Sequence, residues 1–178
     1  MTRPSLIPVE EMIRVPGLAV PSELYTVLSS PALLAGMPSP GEKTPWAALA
    51  EAGFRNVICL TGAAPSYNPT PLRVLHAVGL EDLVGGRHPV APDRERRDIG
   101  RAVRIALGAL RGNEGVIVHC EGGTGRTGTV IGAVLRCLGY SAQEVVDYLD
   151  AVHKARRKAG WPESPWQEEL LKAIGGSV

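Results

Sequence analysis

Two hydrophobic patterns alternate along the chain and predict its secondary structure. Apolar runs of strand length lie at residues 56–60 and 116–118, with further strand candidates at residues 32–36 and 72–78. Apolar residues at helical spacing follow most of these runs. Strands that alternate with helices are typical of an α/β fold. We therefore predict a mainly parallel central sheet with helices on both faces.

Capping residues mark where two of these helices begin. Thr44 is a suitable N-cap for a short helix that ends at Gly53. Asp93 is placed to cap a long helix over residues 94–111, whose predicted buried side consists of Ile99, Val103, Ala106 and Leu110. The arginines of this helix lie largely on its other faces, where Glu95 and Asp98 interrupt them, so we interpret them as a solvated surface.

The chain length favours one folded domain. With 178 residues, the chain is long enough for one well-packed core and too short for two. Residues 1–30 contain four prolines, so we predict an irregular arm there, and a single domain over residues 31–178.

Composition narrows the cellular setting and the ligands. The net charge of +1 gives no overall field that favours nucleic acid or an anionic membrane, so we expect neither as a partner. Three cysteines without paired spacing indicate a reducing compartment and no metal cluster. We find no signal-peptide core and no membrane-length apolar run, and expect a cytoplasmic protein.

The loop after the apolar run at 116–118 contains the candidate catalytic and anion-binding residues. Glycines at 122, 123 and 125 allow successive backbone N–H groups to point into one hollow, and a following helix N-terminus adds positive charge to it. Arg126 adds a planar fork that fits two phosphate oxygens. Cys120 stands at the start of the loop, where these groups stabilise a thiolate placed to attack a bound phosphoryl group.

The loop also resembles a known family. The pattern His-Cys-x-x-Gly-x-x-Arg-Thr is similar to the signature loop of cysteine-dependent protein tyrosine phosphatases, in the dual-specificity branch, and every defined position is filled by His119, Cys120, Gly123, Arg126 and Thr127. The resemblance extends over about residues 30–175. A nucleotide-binding P-loop does not fit, because it requires a glycine at position 120 and a lysine at position 126.

The resemblance implies a phosphatase without cofactor or metal. Cys120 would attack phosphorus, Thr127 would donate a hydrogen bond to the sulfur, and His119 would fix the loop. The phosphate oxygens would be held by the loop residues Glu121, Gly122, Gly123, Thr124, Gly125 and Arg126.

The family places the proton donor on a loop upstream of the cysteine. Asp82 and Asp93 are the candidates, and we favour Asp82 because it follows a strand and its glycine-containing loop, residues 79–86, can close over a substrate. Asp93 stays open, since that loop is longer than the family's. Gln167 matches a glutamine that orients the hydrolytic water in related phosphatases, but it also fits a capping box that begins at Ser164.

One further motif is interpreted as without function. Trp161-Pro162-Glu163 resembles the Trp-Pro-Asp acid loop of the larger tyrosine phosphatases. It follows the signature loop instead of preceding it, so we expect no catalytic role for it.

The expected substrate is a phosphorylated protein or peptide. Two alternatives remain open: a phosphoinositide or RNA 5′-phosphate phosphatase, and a phosphate-binding protein without catalytic activity. Glu121 places a carboxylate near the rim of the loop, and we expect it to repel ligands that carry several phosphates.

Overall fold

The computed structural model describes residues 2–175. Across these residues the chain forms five strands: β1 (Tyr25–Leu28), β2 (Leu34–Met37), β3 (Phe54–Cys59), β4 (Arg73–Ala77) and β5 (Gly115–His119). The α-helices are α1 (Trp46–Ala52), α2 (Pro92–Arg111), α3 (Gly125–Cys137), α4 (Ala142–Ala155) and α5 (Pro165–Ala173). No helix within this part of the chain is long and apolar enough to cross a membrane.

The strands form one sheet in the order β1-β2-β5-β3-β4. β2, β5, β3 and β4 are parallel, and β1 is antiparallel to β2 at the edge. One hydrophobic cluster packs α2 to α5 against one face of the sheet, and a second packs α1 against the other face. The prediction of a mainly parallel α/β fold with helices on both faces is confirmed.

The central strand β5 positions the signature loop. Its residues are fully buried, and the side chains of Val116 and Val118 pack toward α2–α5 while that of Ile117 packs toward α1. Cys120 continues this alternation on the helical side, where it is 2% exposed. The loop then leads into α3, whose apolar side chains are buried on nearly all faces. The cysteine is therefore fixed at the carboxyl end of the best-packed strand, below a helix N-terminus.

The N-terminal segment is more ordered than the sequence indicated. Residues 25–28, within the predicted irregular arm, form β1, and the strand expected at 32–36 is observed as β2, two residues later. The four prolines of residues 1–30 led us to predict no strand there, although residues 25–28 are an apolar run. Pairing with β2 stabilises this run as a strand. The remaining arm packs on α4, where Tyr148 Oη donates to the Ile7 carbonyl at 2.7 Å. Of the predicted domain, residues 176–178 lie outside the described part.

Two predicted helix caps are wrong. The N-cap of α1 is Pro45, and Thr44 Oγ1 instead accepts a hydrogen bond from the Gly41 N–H at 2.9 Å. The N-cap of α2 is Ala91, because Pro92 has no N–H to satisfy and begins the helix itself. Asp93 therefore lies inside the first turn of α2 and is not the residue that caps it.

Candidate active site

The carbonyl groups of residues 120–125 all point away from the centre of the signature loop. Each oxygen accepts a hydrogen bond from a group on the outer side of the loop. In chain order the donors are His119 Nδ1, the Ser39 N–H, Arg156, Tyr25 Oη, the Gly128 N–H and Trp161 Nε1, at distances of 2.6 to 3.3 Å. In a planar trans peptide the N–H points opposite to the C=O. The N–H groups that follow these carbonyls therefore point into the hollow.

The hollow has the composition of an anion site. Several N–H groups converge on it, and the N-terminus of α3 begins at Gly125, so the helix dipole adds positive charge. Gly123 is required for this path: its φ is +71°, and a Cβ there would stand 2.6 Å from the carbonyl carbon of Met37. Arg126 lies beside the hollow with 14% of its side chain exposed. Cys120 lies at the start of the loop, directly after β5, and Arg126 lies at its end, in the first turn of α3.

Arg156 holds the signature loop from below and was not among the predicted site residues. Its guanidinium is 4% exposed and donates to the carbonyls of Gly122 and Gly123, each at 3.1 Å. It also donates to the carbonyl of Ser22 and lies over the Tyr25 ring, 4.7 Å from the centroid. Burial lowers the pKa of Arg156 from its ordinary value. A buried cation under the loop carbonyls fixes the direction of the loop amides.

We expect Arg156→Lys to destabilise the protein by about 2 kcal/mol, because an ammonium cannot satisfy all of these buried carbonyls and each one left unpaired costs about 1–3 kcal/mol. Urea unfolding followed by circular dichroism measures the loss. Arg157→Lys is the matched control, since its neighbour Arg157 is exposed. Equal stabilities of the two variants would contradict the role of Arg156.

Trp161 closes the side of the loop. Its indole Nε1 donates to the Gly125 carbonyl at 3.3 Å, and a Cβ on Gly128 would overlap the indole ring. The first residue of the Trp161-Pro162-Glu163 motif therefore packs directly on the signature loop, a structural contact that leaves the expectation of no catalytic role untested. Sequence order gave no sign of this contact, because the segment returns to the loop only after α4.

His119 is fixed on the far side of the loop. Its Nε2 lies 2.6 Å from Tyr67 Oη, and its Nδ1 lies 3.2 Å from the Cys120 carbonyl. The expected hydrogen bond from Thr127 to the Cys120 sulfur is not made: the Thr127 hydroxyl is buried and has no partner among the described residues. The carbonyl four residues earlier, that of Gly123, does not take up the Thr127 hydroxyl. It accepts hydrogen bonds from Tyr25 and Arg156 instead.

Asp82 is the favoured candidate for the proton donor, and it lies at the mouth of the hollow. Its Oδ2 is 3.9 Å from Arg126 Nη2, and its side chain is 53% exposed. Oδ1 accepts from the Val84 N–H at 3.1 Å, which orients the carboxylate. The structure therefore places a carboxyl next to Arg126, the arginine beside the hollow.

Asp93, the other candidate, does not contact Arg126. Its carboxylate pairs with Arg96 at 3.3 Å, and its side chain is 87% exposed. The amides at the start of α2 are satisfied by Glu81, whose carboxylate oxygens accept from the N–H groups of Val90 and Ala91 at 2.7 and 3.0 Å. These bonds lower the pKa of Glu81. Glu81 thereby holds the segment that leads into α2, while the N-cap of the helix, Ala91, has no side-chain cap bond.

The loop of Asp82 is held in place in the structure, whereas the sequence suggested a loop that closes over the substrate. The Glu81 N–H donates to Glu95 Oε1 at 3.0 Å, and the Gly86 N–H donates to the Glu163 carbonyl at 2.9 Å. Gly85 and Gly86 have φ values of +77° and +84°, which form the turn. The carboxyl at the mouth is thus positioned before any substrate binds.

Gln167 fills the capping role that was considered for it, while its role toward a hydrolytic water stays a prediction. Its Oε1 accepts from the N–H groups of Glu163 and Ser164 at 2.8 and 3.2 Å, which completes the predicted capping box. Its Nε2 faces the start of α3, 3.3 Å from where a Cβ of Gly125 would stand. The side chain is 1% exposed and cannot swing away without breaking the cap.

Comparison with known proteins agrees with this site. A family model described as Swiss Army Knife protein, DSP-PTPase phosphatase domain, matches residues 25–164. Because the match covers well over half of the chain, the protein belongs to this family of phosphatase domains. The match begins at Tyr25, the first residue of β1.

Three solved structures of related fold are each below 25% identity to this chain and bear on the fold alone. Tk-PTP in its active form has 24% identity and a TM-score of 0.56, with 79% of this chain and 90% of that chain covered. TpbA of P. aeruginosa has 16% identity and a TM-score of 0.61, with 85% of each chain covered. PTPMT1 in complex with PI(5)P has 16% identity and a TM-score of 0.57, covering 79% of this chain and 88% of that one.

Proposed function

We propose that the protein is an active phosphomonoester hydrolase, a protein tyrosine or dual-specificity phosphatase that works through a cysteinyl-phosphate intermediate. The observation that carries the proposal is the signature loop, whose carbonyls all accept hydrogen bonds from outside while Cys120 and Arg126 flank the hollow. Such a hollow binds the phosphate oxygens and positions phosphorus for attack by sulfur.

In the first step, the Cys120 sulfur forms a bond to phosphorus as the bond to the leaving oxygen breaks. Arg126 and the loop amides stabilise the charge on the remaining phosphate oxygens. Asp82, at the mouth beside Arg126, gives its proton to the leaving oxygen.

In the second step, water attacks phosphorus and the bond from phosphorus to sulfur breaks. Asp82 accepts the proton of the water, and Gln167 Nε2, which faces Gly125, is placed to orient it. Thr127 has a buried hydroxyl with no partner among the described residues, so it is available to donate to the departing sulfur. The cycle uses no cofactor and no metal.

Turnover of para-nitrophenyl phosphate in the presence of a chelator tests this proposal. The fold also occurs in a protein solved with a phosphoinositide, PTPMT1 with PI(5)P, so the activity must be compared between substrate classes. Absence of turnover together with tight phosphate binding would identify a binding protein instead of an enzyme.

A cytoplasmic location is part of the proposal, and the three free cysteines support it.

We expect singly phosphorylated peptides to be preferred over ligands with several phosphates, because Glu121 is exposed at the rim of the loop and adds negative charge there. Glu121→Lys should raise kcat/KM for an inositol polyphosphate about three- to tenfold, an effect that weakens with added salt. Phosphate release from a panel of phosphopeptides and inositol phosphates measures the preference.

Glu51→Lys is the control for that charge change, since Glu51 is exposed on α1. Equal responses to the two substitutions would mean that the Glu121 carboxylate does not act locally. A wild-type kcat/KM that is much higher on inositol lipids than on every phosphopeptide would overturn the preference and favour a lipid phosphatase.

A further inference from the structure

We propose that Glu163 is a second proton-transfer residue of the site, whose carboxyl shares with Asp82 the proton given to the leaving group. The inference rests on the proposed phosphatase activity and adds a residue to it. The sequence gave this residue no role, because it lies 43 residues after the cysteine instead of before it.

The position of the Glu163 carboxylate carries the proposal. A Cβ on Gly125 would overlap Glu163 Oε2, so the carboxylate lies directly over the first residue of α3. Arg126 is the next residue, and Gln167 Nε2 reaches the same place. The Glu163 carboxyl thus lies next to the N-terminus of α3, one residue from Arg126.

The segment of Glu163 is joined to the loop of Asp82. The Glu163 carbonyl accepts from the Gly86 N–H at 2.9 Å, and Ser164 Oγ donates to the Arg87 carbonyl at 2.7 Å. The Glu163 N–H donates to Gln167 Oε1 at 2.8 Å. These bonds fix the two carboxyl-bearing segments relative to each other without using either carboxyl. Both side chains remain available for a proton.

The surroundings of Glu163 favour the protonated form. The residue is half-buried, and burial raises its pKa, with the Asp82 carboxylate raising it further. Arg126 and Lys158 face it as well and act in the opposite direction. A carboxyl that keeps its proton to higher pH than an ordinary glutamate is suited to act as an acid near neutral pH.

Proton transfer by the pair is balanced over the two steps. As the sulfur–phosphorus bond forms, the phosphorus–oxygen bond breaks and the shared proton moves from the pair to the leaving oxygen. When water attacks, the phosphorus–sulfur bond breaks, its electron pair returns to the Cys120 thiolate, and the water proton moves to the pair. The pair ends the cycle with the proton that it began with.

The test is the pH profile of kcat for Glu163→Gln, Asp82→Asn and the double variant. We expect Glu163→Gln to lower kcat about tenfold on phenyl phosphate and less than threefold on para-nitrophenyl phosphate, whose leaving group needs no proton, since general acid catalysis contributes about 10²–10⁴-fold in all. The basic limb should move to lower pH in each single variant and disappear only in the double variant.

Glu168→Gln is the matched control, because Glu168 lies on α5 and pairs with Lys172. The proposal is overturned when Glu163→Gln folds like the wild type and keeps its pH profile and its leaving-group dependence. It is equally overturned when one single variant removes the limb entirely and the other leaves it intact. Failure of the phosphatase function itself is distinguishable, since the wild-type protein would then turn over neither substrate.

Discussion

Cys120→Ser should abolish turnover and leave phosphate binding intact. The serine hydroxyl is a poor nucleophile at neutral pH, and loss of a nucleophile lowers kcat by roughly 10⁴-fold or more in enzymes with a covalent intermediate. The hollow is formed by backbone amides and Arg126, neither of which depends on the sulfur. We expect the dissociation constant for inorganic phosphate to change less than about threefold. Acid-quenched reactions should yield a phosphorylated cysteine peptide from the wild type and none from the variant.

Cys137→Ser serves as the control, since Cys137 is exposed at the end of α3 and far along the helix from the loop. It should retain wild-type activity and the phosphorylated peptide at Cys120. Wild-type kcat in Cys120→Ser would refute the covalent mechanism. Loss of phosphate binding in that variant would contradict the prediction that the hollow keeps its shape without the sulfur.

Arg126→Lys should lower kcat/KM by about 10²–10³-fold, the scale observed when a preorganised donor to a transition-state oxygen is removed. The guanidinium donates two parallel hydrogen bonds, while an ammonium is a point charge on a flexible chain. In this structure Arg126 also lies 3.9 Å from Asp82, so its replacement disturbs the position of the proposed proton donor as well. Steady-state kinetics on para-nitrophenyl phosphate measures the change.

Because the charge is retained, the loss in Arg126→Lys should come mainly from kcat, which reports the transition state, and less from KM. Arg101→Lys is the control, since Arg101 is exposed on α2. A near-normal kcat/KM in Arg126→Lys would remove Arg126 from the transition state and leave it a role in ground-state binding alone.

Hydrophobic pattern and local motif predicted much of the site. The buried strand, the glycine-rich loop and the helix that follows are contiguous, so Cys120 and Arg126 could be located from spacing alone. The capping box at Ser164 is likewise local, and the structure has it where the sequence placed it. The resemblance called for an upstream carboxyl, and Asp82 was preferred for its position after a strand in a glycine-containing loop; the structure places Asp82 beside Arg126 but Asp93 in an ion pair on the surface.

The residues that the sequence did not reveal act through contacts distant along the chain. Arg156 donates to the carbonyls of Gly122 and Gly123, more than thirty residues earlier, and Tyr25 donates to the same Gly123 carbonyl from almost a hundred residues away. A buried arginine and a buried tyrosine have no sequence pattern of their own. An arginine beside other basic residues on a helix looks like a solvated surface residue until the fold shows which way it points.

The sequence by itself determined the fold class of this protein and located the proposed nucleophile and the proposed phosphate-binding loop. These follow from residues that are neighbours in the chain, where the period of apolar positions and the conformational freedom of glycine decide the structure. Tertiary structure alone decided which carboxyls face the loop and what holds its carbonyls. It brought Glu163 over Gly125, because α3 and α4 return the chain to the site where it began. Side-chain direction in such a contact depends on packing between elements, and no local pattern records it.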